Sequence, residues 1–301
     1  MSICILNQES KSCLPVKVIT ALQQEILPTN NKENIINKEH IINKIAKKME
    51  CNDTSLANKE LCILKKISTT TNDKNLEEKI KKNIITYFKP VTKSYDKNHW
   101  LNNTEVDHIQ HQFKTLFKGY YYSNIHMIDL VMFNPQHSNV IDYEVKCIKD
   151  INFINELISN CDNNILTYNG DLKYYGIVIN TDKSTGGGIH WFSIFMDFSS
   201  KDDNEPYRIE YFNSSGYDIR DKSFKNYFIN LADEITREVK KCEFVKVTDI
   251  QHQREDTANC GSYSLYYIWK RLNGTPYQFF SKNQILDENM VDFRKFLYRL
   301  K

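Results

Sequence analysis

Cys260, His190, Asn213 and Gln253 are the residues of this 301-residue chain whose types and surroundings could together perform nucleophilic chemistry. Cys260 follows the polar stretch QHQREDTAN and opens CGSYSLYYIWKRLNG, a segment that reads as a helix stopped by Asn273-Gly274. The free N–H groups and dipole at a helix N-terminus favour an anion, so a thiol there is expected to have a lowered pKa. Gly261 would remove side-chain bulk where a substrate backbone has to pass. Cysteine alone is a weak signal, because a lone thiol is more often a small buried hydrophobe.

A nucleophilic cysteine needs an imidazole within reach, and that imidazole needs an orienting partner. Of eight histidines, His190 is the best placed: it follows the loop STGGG and begins the strand HWFSIFMDF. The paired strand YRIEYFN ends in Asn213. There Ile209, Tyr211 and Asn213 share one face and Glu210 takes the other, so Asn213 can sit beside His190 while Ile209 and Tyr211 are buried. An Asn carbonyl can hold an imidazole ring but cannot take its proton. Gln253 lies seven residues before Cys260, and its amide could join the Cys260 N–H as a donor to developing negative charge.

The elements that must position these groups follow from periodicity. YYGIVIN (174–180) reads as a buried strand. HWFSIFMDF (190–198) alternates, with His190, Phe192, Ile194 and Met196 on one face and Trp191, Ser193 and Phe195 on the other. It forms a hairpin with 207–213, and EFVKVTDI (243–250) is a further strand. HWLNNTEVDHIQHQFKTLFKG, with Asn103 or Thr104 as cap, DKSFKNYFINLADEITREVKK and the closing NQILDENMVDFRKFLYRL read as helices. Strict βαβ alternation is absent, so the class is α+β. Residues 1–92 read as a separate helical arm, with Ile35, Ile42, Ile45, Ala46 and Met49 near helical spacing and NKELCILKKI as a second helix. A boundary is placed near residue 92, after Pro90, leaving 93–301 as the core.

The formal charge of +2 is unevenly spread, with +5 over residues 1–90 and −3 over the rest. A mildly basic arm suits contact with nucleic acid or an acidic scaffold. The N-terminus has neither an apolar signal segment nor a cleavage site, and no apolar run approaches a membrane span. The expectation is therefore a reducing compartment, mostly free thiols among the eight cysteines, and no membrane insertion. No Cys or His cluster has zinc-ligand spacing, so neither a metal nor any other cofactor is expected.

Taken together, the order His–Asn–Gln–Cys within INTDKSTGGGIHWFSIFMDF, RIEYFNSSG and VTDIQHQREDTANCGSYSLYYIWKRL resembles the adenovirus-protease and SUMO-protease superfamily. Within it, the sequence is most similar to the polyprotein-processing, SUMO-protease-like branch of African swine fever virus type. The likeness covers about residues 93–301 and is densest over 175–275. It implies a papain-like, adenain-type core in which a mixed sheet is flanked by helices. It implies a Cys-His-Asn triad of Cys260, His190 and Asn213, with Gln253 in the oxyanion hole. HWLNNTEV resembles a family element that places Trp100 opposite Trp191, two walls of a tunnel for a Gly-Gly backbone. Two departures stand out. The third triad member is Asn rather than the Asp or Glu of most relatives, which favours a large-DNA-virus enzyme. The seven-residue spacing of Gln253 matches adenovirus, where the SUMO and swine-fever enzymes have six.

The function implied is a thiol endopeptidase cutting viral polyproteins after Gly-Gly sites during virion maturation, in the host cytoplasm and the virion. Three other readings remain open: a deconjugase of SUMO or ubiquitin-like modifiers, an acetyltransferase of related core, and a virion protein binding nucleic acid or scaffold through its arm.

Overall fold

The computed structural model describes residues 4, 11–27, 37–123, 125–132 and 172–300. The chain divides into two compact units, Met1–Val91 with Phe296–Lys301, and Thr92–Lys295.

The first unit is built from helices α1 (Val16–Ile26), α2 (Lys38–Lys48), α3 (Leu56–Thr70) and α4 (Lys74–Tyr87). Asn37, Ser55 and Asp73 cap α2, α3 and α4 through their side-chain oxygens, which satisfy N–H groups that have no partner within the helix. Ile42, Ile45 and Ala46 are buried as their spacing predicts, together with Ile41, while Ile35 lies outside the described residues. Glu60 is buried where it accepts from the Ser12 hydroxyl and from the N–H groups of Cys13 and Leu14.

The cysteines depart from the sequence expectation. Cys4 is joined to Cys13 and Cys51 to Cys62 by disulfides, leaving Cys242 and Cys260 free among the described residues. Cys147 and Cys161 lie outside them. The expectation of free thiols rested on the absence of a signal segment, which says nothing about which side chains folding brings together. Here the paired Cα atoms are 5.0 and 5.9 Å apart, within the range a disulfide spans.

The second unit is α+β. Its mixed sheet runs β1 (Tyr120–Tyr122), β3 (Tyr174–Asn180), β4 (Trp191–Asp197), β5 (Tyr207–Phe212) and β6 (Cys242–Lys246), with the short β2 (His126–Met127) also pairing β3. β3, β4 and β5 are antiparallel neighbours; β1, β2 and β6 add in parallel at the sides. Helices α5 (Asn103–Leu116), α6 (Lys222–Glu238), α7 (Cys260–Leu272), α8 (Gln278–Lys282) and α9 (Asp287–Leu297) surround it. The cap of α5 is Asn102, one residue earlier than expected, because Glu105 reaches back to the Asn102 N–H and completes a capping box.

Strand β4 is buried on both faces. Phe192, Ile194 and Met196 pack with Ile209, Tyr211 and the α6 residues Phe224 and Phe228. Each such side chain contributes roughly 1.5–3 kcal/mol of burial. The other face meets α7: Phe195 contacts Tyr267 edge-on, and Phe212 stacks on the same ring at 4.5 Å. Glu210 lies on this face too, fully buried, and binds Tyr267 Oη at 2.6 Å and Arg271 Nε and Nη2 at 2.7 and 2.9 Å. Arg271 Nη2 also reaches Asp197 Oδ2 at 2.8 Å. This charged bolt fixes α7 against the sheet. Removing one partner of such a pair costs about 3–5 kcal/mol, since a buried charge is left uncompensated.

Candidate active site

His190 stands immediately before β4, at the end of a loop held from three sides. Asn180 Oδ1 accepts from the N–H groups of Asp182 and Ile189, each within 3.0 Å. Asp182 Oδ2 accepts from Gly188 N at 3.0 Å, and Asp129 accepts from Ser184 N and Oγ. Gly188 has φ +95°, and a Cβ there would meet Asn180 Nδ2 at 2.9 Å, so glycine is needed for the chain to turn into His190.

Asn213 follows β5 in the register that the alternation predicts. His190 Nε2 lies 2.7 Å from Asn213 Oδ1. That carbonyl also accepts from Ser215 N at 3.0 Å and Ser215 Oγ at 2.8 Å, while Asn213 Nδ2 donates to Tyr211 Oη at 2.9 Å. The amide orientation is therefore fixed, and the ring donates through Nε2. Nδ1 is left with the lone pair, the state a base requires. Burial holds the His190 pKa below its ordinary value, which keeps the ring neutral, against the opposing pull of the Asn213 hydrogen bond.

Cys260 is the first residue of α7. The Trp191 side chain lies against Gly261 of α7, and the N–H of Trp191 points at the Cys260 sulfur, as does that of Gly261. The expected lowering of the thiol pKa is not what the structure gives. Burial pushes Cys260 up to about 11, outweighing these N–H groups and the nearby Arg294 charge. The sequence reading counted the helix terminus and could not count the desolvation. A Cβ at Gly261 would lie at van der Waals contact, 3.4 Å, from Leu101 and the Trp191 ring.

Gln253 is tied to the residue after Asn213. Its Oε1 accepts from Ser214 Oγ at 3.0 Å, its own N–H donates to Ser214 O at 3.0 Å, and its Nε2 donates to Thr257 O at 2.7 Å. One Nε2 hydrogen remains to be donated elsewhere. Trp191 is 3% exposed and its buried Nε1 has no partner among the described residues; Trp100 is 43% exposed. Sequence reasoning missed Ser214, Ser215 and Tyr211 as supports; the Ser-Ser pair after Asn213 was the available signal. Among the described residues no cluster of His, Cys, Asp and Glu could hold a metal, and no helix is long and apolar enough to cross a membrane.

The family model described as the Ulp1 protease family, C-terminal catalytic domain, matches residues 99–301. The chain belongs to the Ulp1 protease family. It is 39% identical over 130 residues to a cysteine protease of African swine fever virus isolate Tick/Malawi/Lil 20-1/1983, covering 42% of this chain and 44% of that protein. It is 38% identical, with the same coverage, to the SUMO-1 cysteine protease of isolate Pig/Kenya/KEN-50/1950. The chain thus spans less than half the length of these curated relatives. The crystal structure of an African swine fever virus protease has the same fold, with a TM-score of 0.62 at 23% identity over 100% of this chain and 96% of that one.

Proposed function

We propose that this protein is a viral cysteine endopeptidase that cleaves structural polyproteins after Gly-Gly or similar small-residue sites. The observation that carries the reading is the 2.7 Å contact from His190 Nε2 to a fixed Asn213 carbonyl, at the strand end whose next N–H points at the Cys260 sulfur. In this reading His190 Nδ1 takes the Cys260 proton as sulfur bonds to the scissile carbonyl carbon. The carbonyl oxygen becomes an oxyanion that accepts from Cys260 N–H and the remaining Gln253 Nε2 hydrogen. The imidazolium returns its proton to the departing amine as the C–N bond breaks. Water, with His190 as base, then frees the acyl group from sulfur. Trp191 and Trp100 act as walls that admit a bare backbone.

The same proposal assigns catalysis to residues 93–301, contact with scaffold or nucleic acid to the arm 1–92, and the site of action to virus assembly in the host cytoplasm and virion. Cys260→Ser should abolish hydrolysis of a Gly-Gly-X peptide; unchanged hydrolysis would end the proposal.

A second reading is favoured by the SUMO-1 protease designation of one relative. Removal of a folded modifier would use the same residues. It is preferred if a Gly-Gly-terminated folded modifier turns over and the matching short peptide does not.

A further inference from the structure

Asp287, the first residue of α9, lies only 2% exposed beneath the segment that joins Gln253 to Cys260. Its Oδ2 accepts from Arg254 N at 3.0 Å. Its Oδ1 accepts from Thr257 Oγ1 at 2.9 Å and Asn259 Nδ2 at 2.7 Å. One carboxylate thus holds both ends of the segment. Thr257 in turn receives Gln253 Nε2 on its carbonyl at 2.7 Å, so Asp287 acts on Gln253 through one intermediate.

Asn259 sharpens the point. It is the N-cap residue of α7, and an Asn there ordinarily bonds the first-turn N–H groups with its own Oδ1. Here it makes no such bond, and its buried Oδ1 has no partner among the described residues. Its Nδ2 is turned to Asp287 instead. The first-turn N–H groups beside Cys260 are therefore not consumed by a side-chain cap.

We propose that Asp287 is a positioning residue for acylation. It sets the Arg254–Asn259 segment at both ends, through Arg254 N and Asn259 Nδ2, so that Cys260 N–H and Gln253 Nε2 remain aimed at the oxyanion. The inference rests on the reading of Cys260 as nucleophile and deepens it.

The test compares wild type, Asp287→Asn, Asn259→Ser and Cys260→Ser in the full chain. Each is measured on a Gly-Gly-X peptide, and the proteins that keep Cys260 are also alkylated with iodoacetamide across pH. Alkylation forms a C–S bond and expels iodide without an oxyanion, so it reports the thiol and not the donors. Asp287→Asn sets an amide N–H₂ against existing donors. It should lower kcat about 10- to 100-fold with KM within about threefold, while alkylation stays within about twofold of wild type at every pH. Asn259→Ser removes the Nδ2 donor to Asp287 and should lower kcat at least about fivefold while alkylation stays within about twofold of wild type. It decides the matter if Asp287→Asn does not fold. Wild-type kcat in the variants overturns the inference alone, provided Cys260→Ser is inactive. A parallel fall of kcat and alkylation overturns it too, because that marks general damage. Equal cleavage by wild type and Cys260→Ser overturns the nucleophile and this inference with it.

Discussion

His190 and Asn213 share one hydrogen bond of 2.7 Å, from the ring Nε2–H to an amide carbonyl that Ser215 also donates to. A neutral Asn orients the ring and adds no charge to it. Burial then sets the His190 pKa below its ordinary value. His190 as the proposed base must be neutral, so activity is expected to be lost only as pH falls through that lowered pKa. The kcat/KM profile is expected to be flat above pH ~6.5. Asn213→Asp places a carboxylate against the ring, favours imidazolium and should move the acid limb upward by about one pH unit. An unmoved limb in that variant would remove Asn213 from the site.

Cys260 and His190 carry opposite consequences of the same burial. A thiol raised to about 11 is ionised in about one part in 10³ at pH 8. In the proposed mechanism the resting protein holds Cys260 as a thiol and His190 as a neutral imidazole. Alkylation by iodoacetamide is expected to accelerate roughly tenfold per pH unit between 7 and 10. A plateau beginning near pH 6 would instead indicate a preformed thiolate–imidazolium pair.

Gly176 in β3 has no room for a side chain. A Cβ would collide with the Tyr120 hydroxyl, which is fully buried and bonded to Gln110 Oε1. Gly176→Ala should cost about 1–3 kcal/mol in denaturant unfolding, and adding Tyr120→Phe should recover part of it. Equal stability of Gly176→Ala and wild type would show that the Tyr120 ring can move aside.

The Cys51–Cys62 disulfide closes a short loop in the helical unit, with a sequence separation of 11. Loop-closure entropy for this length corresponds to about 3 kcal/mol. Cys51→Ser should lower the stability of that unit by up to this amount, with a corresponding loss in wild type on adding reductant. Identical melting with and without reductant would contradict it.

The sheet strands were legible because their signals are local. YYGIVIN is an apolar run and YRIEYFN an alternating one, each ended by Asn, and both become strands within one residue of expectation. The opposed faces of Ile209, Tyr211 and Asn213 against Glu210 followed from a period of two, and the structure keeps them. Helices α1 and α4 were not anticipated: α1 opens with the β-branched Val16, Val18, Ile19 and Thr20, which suit a strand as well as a helix, and in α4 the apolar residues are scattered among lysines, glutamates and asparagines. The disulfides, the Glu210–Arg271 pair and Asp287 were illegible for a common reason. Each joins residues whose pairing depends on chain path and not on neighbouring sequence; Asp287 is 28 residues from Asn259 and Arg271 is 61 from Glu210. The Cys260 pKa failed in the same way, because desolvation is a property of what surrounds the helix start.

Burial on both faces makes β4 hard to deform, and His190 is fastened to its first residue. The imidazole therefore inherits the rigidity of the sheet centre rather than that of the glycine-rich loop before it. Local fraying elsewhere would leave His190, the proposed base, in register with Asn213. Under heat or denaturant the chain should keep its chemistry until the sheet itself opens, so that inactivation and cooperative unfolding occur together.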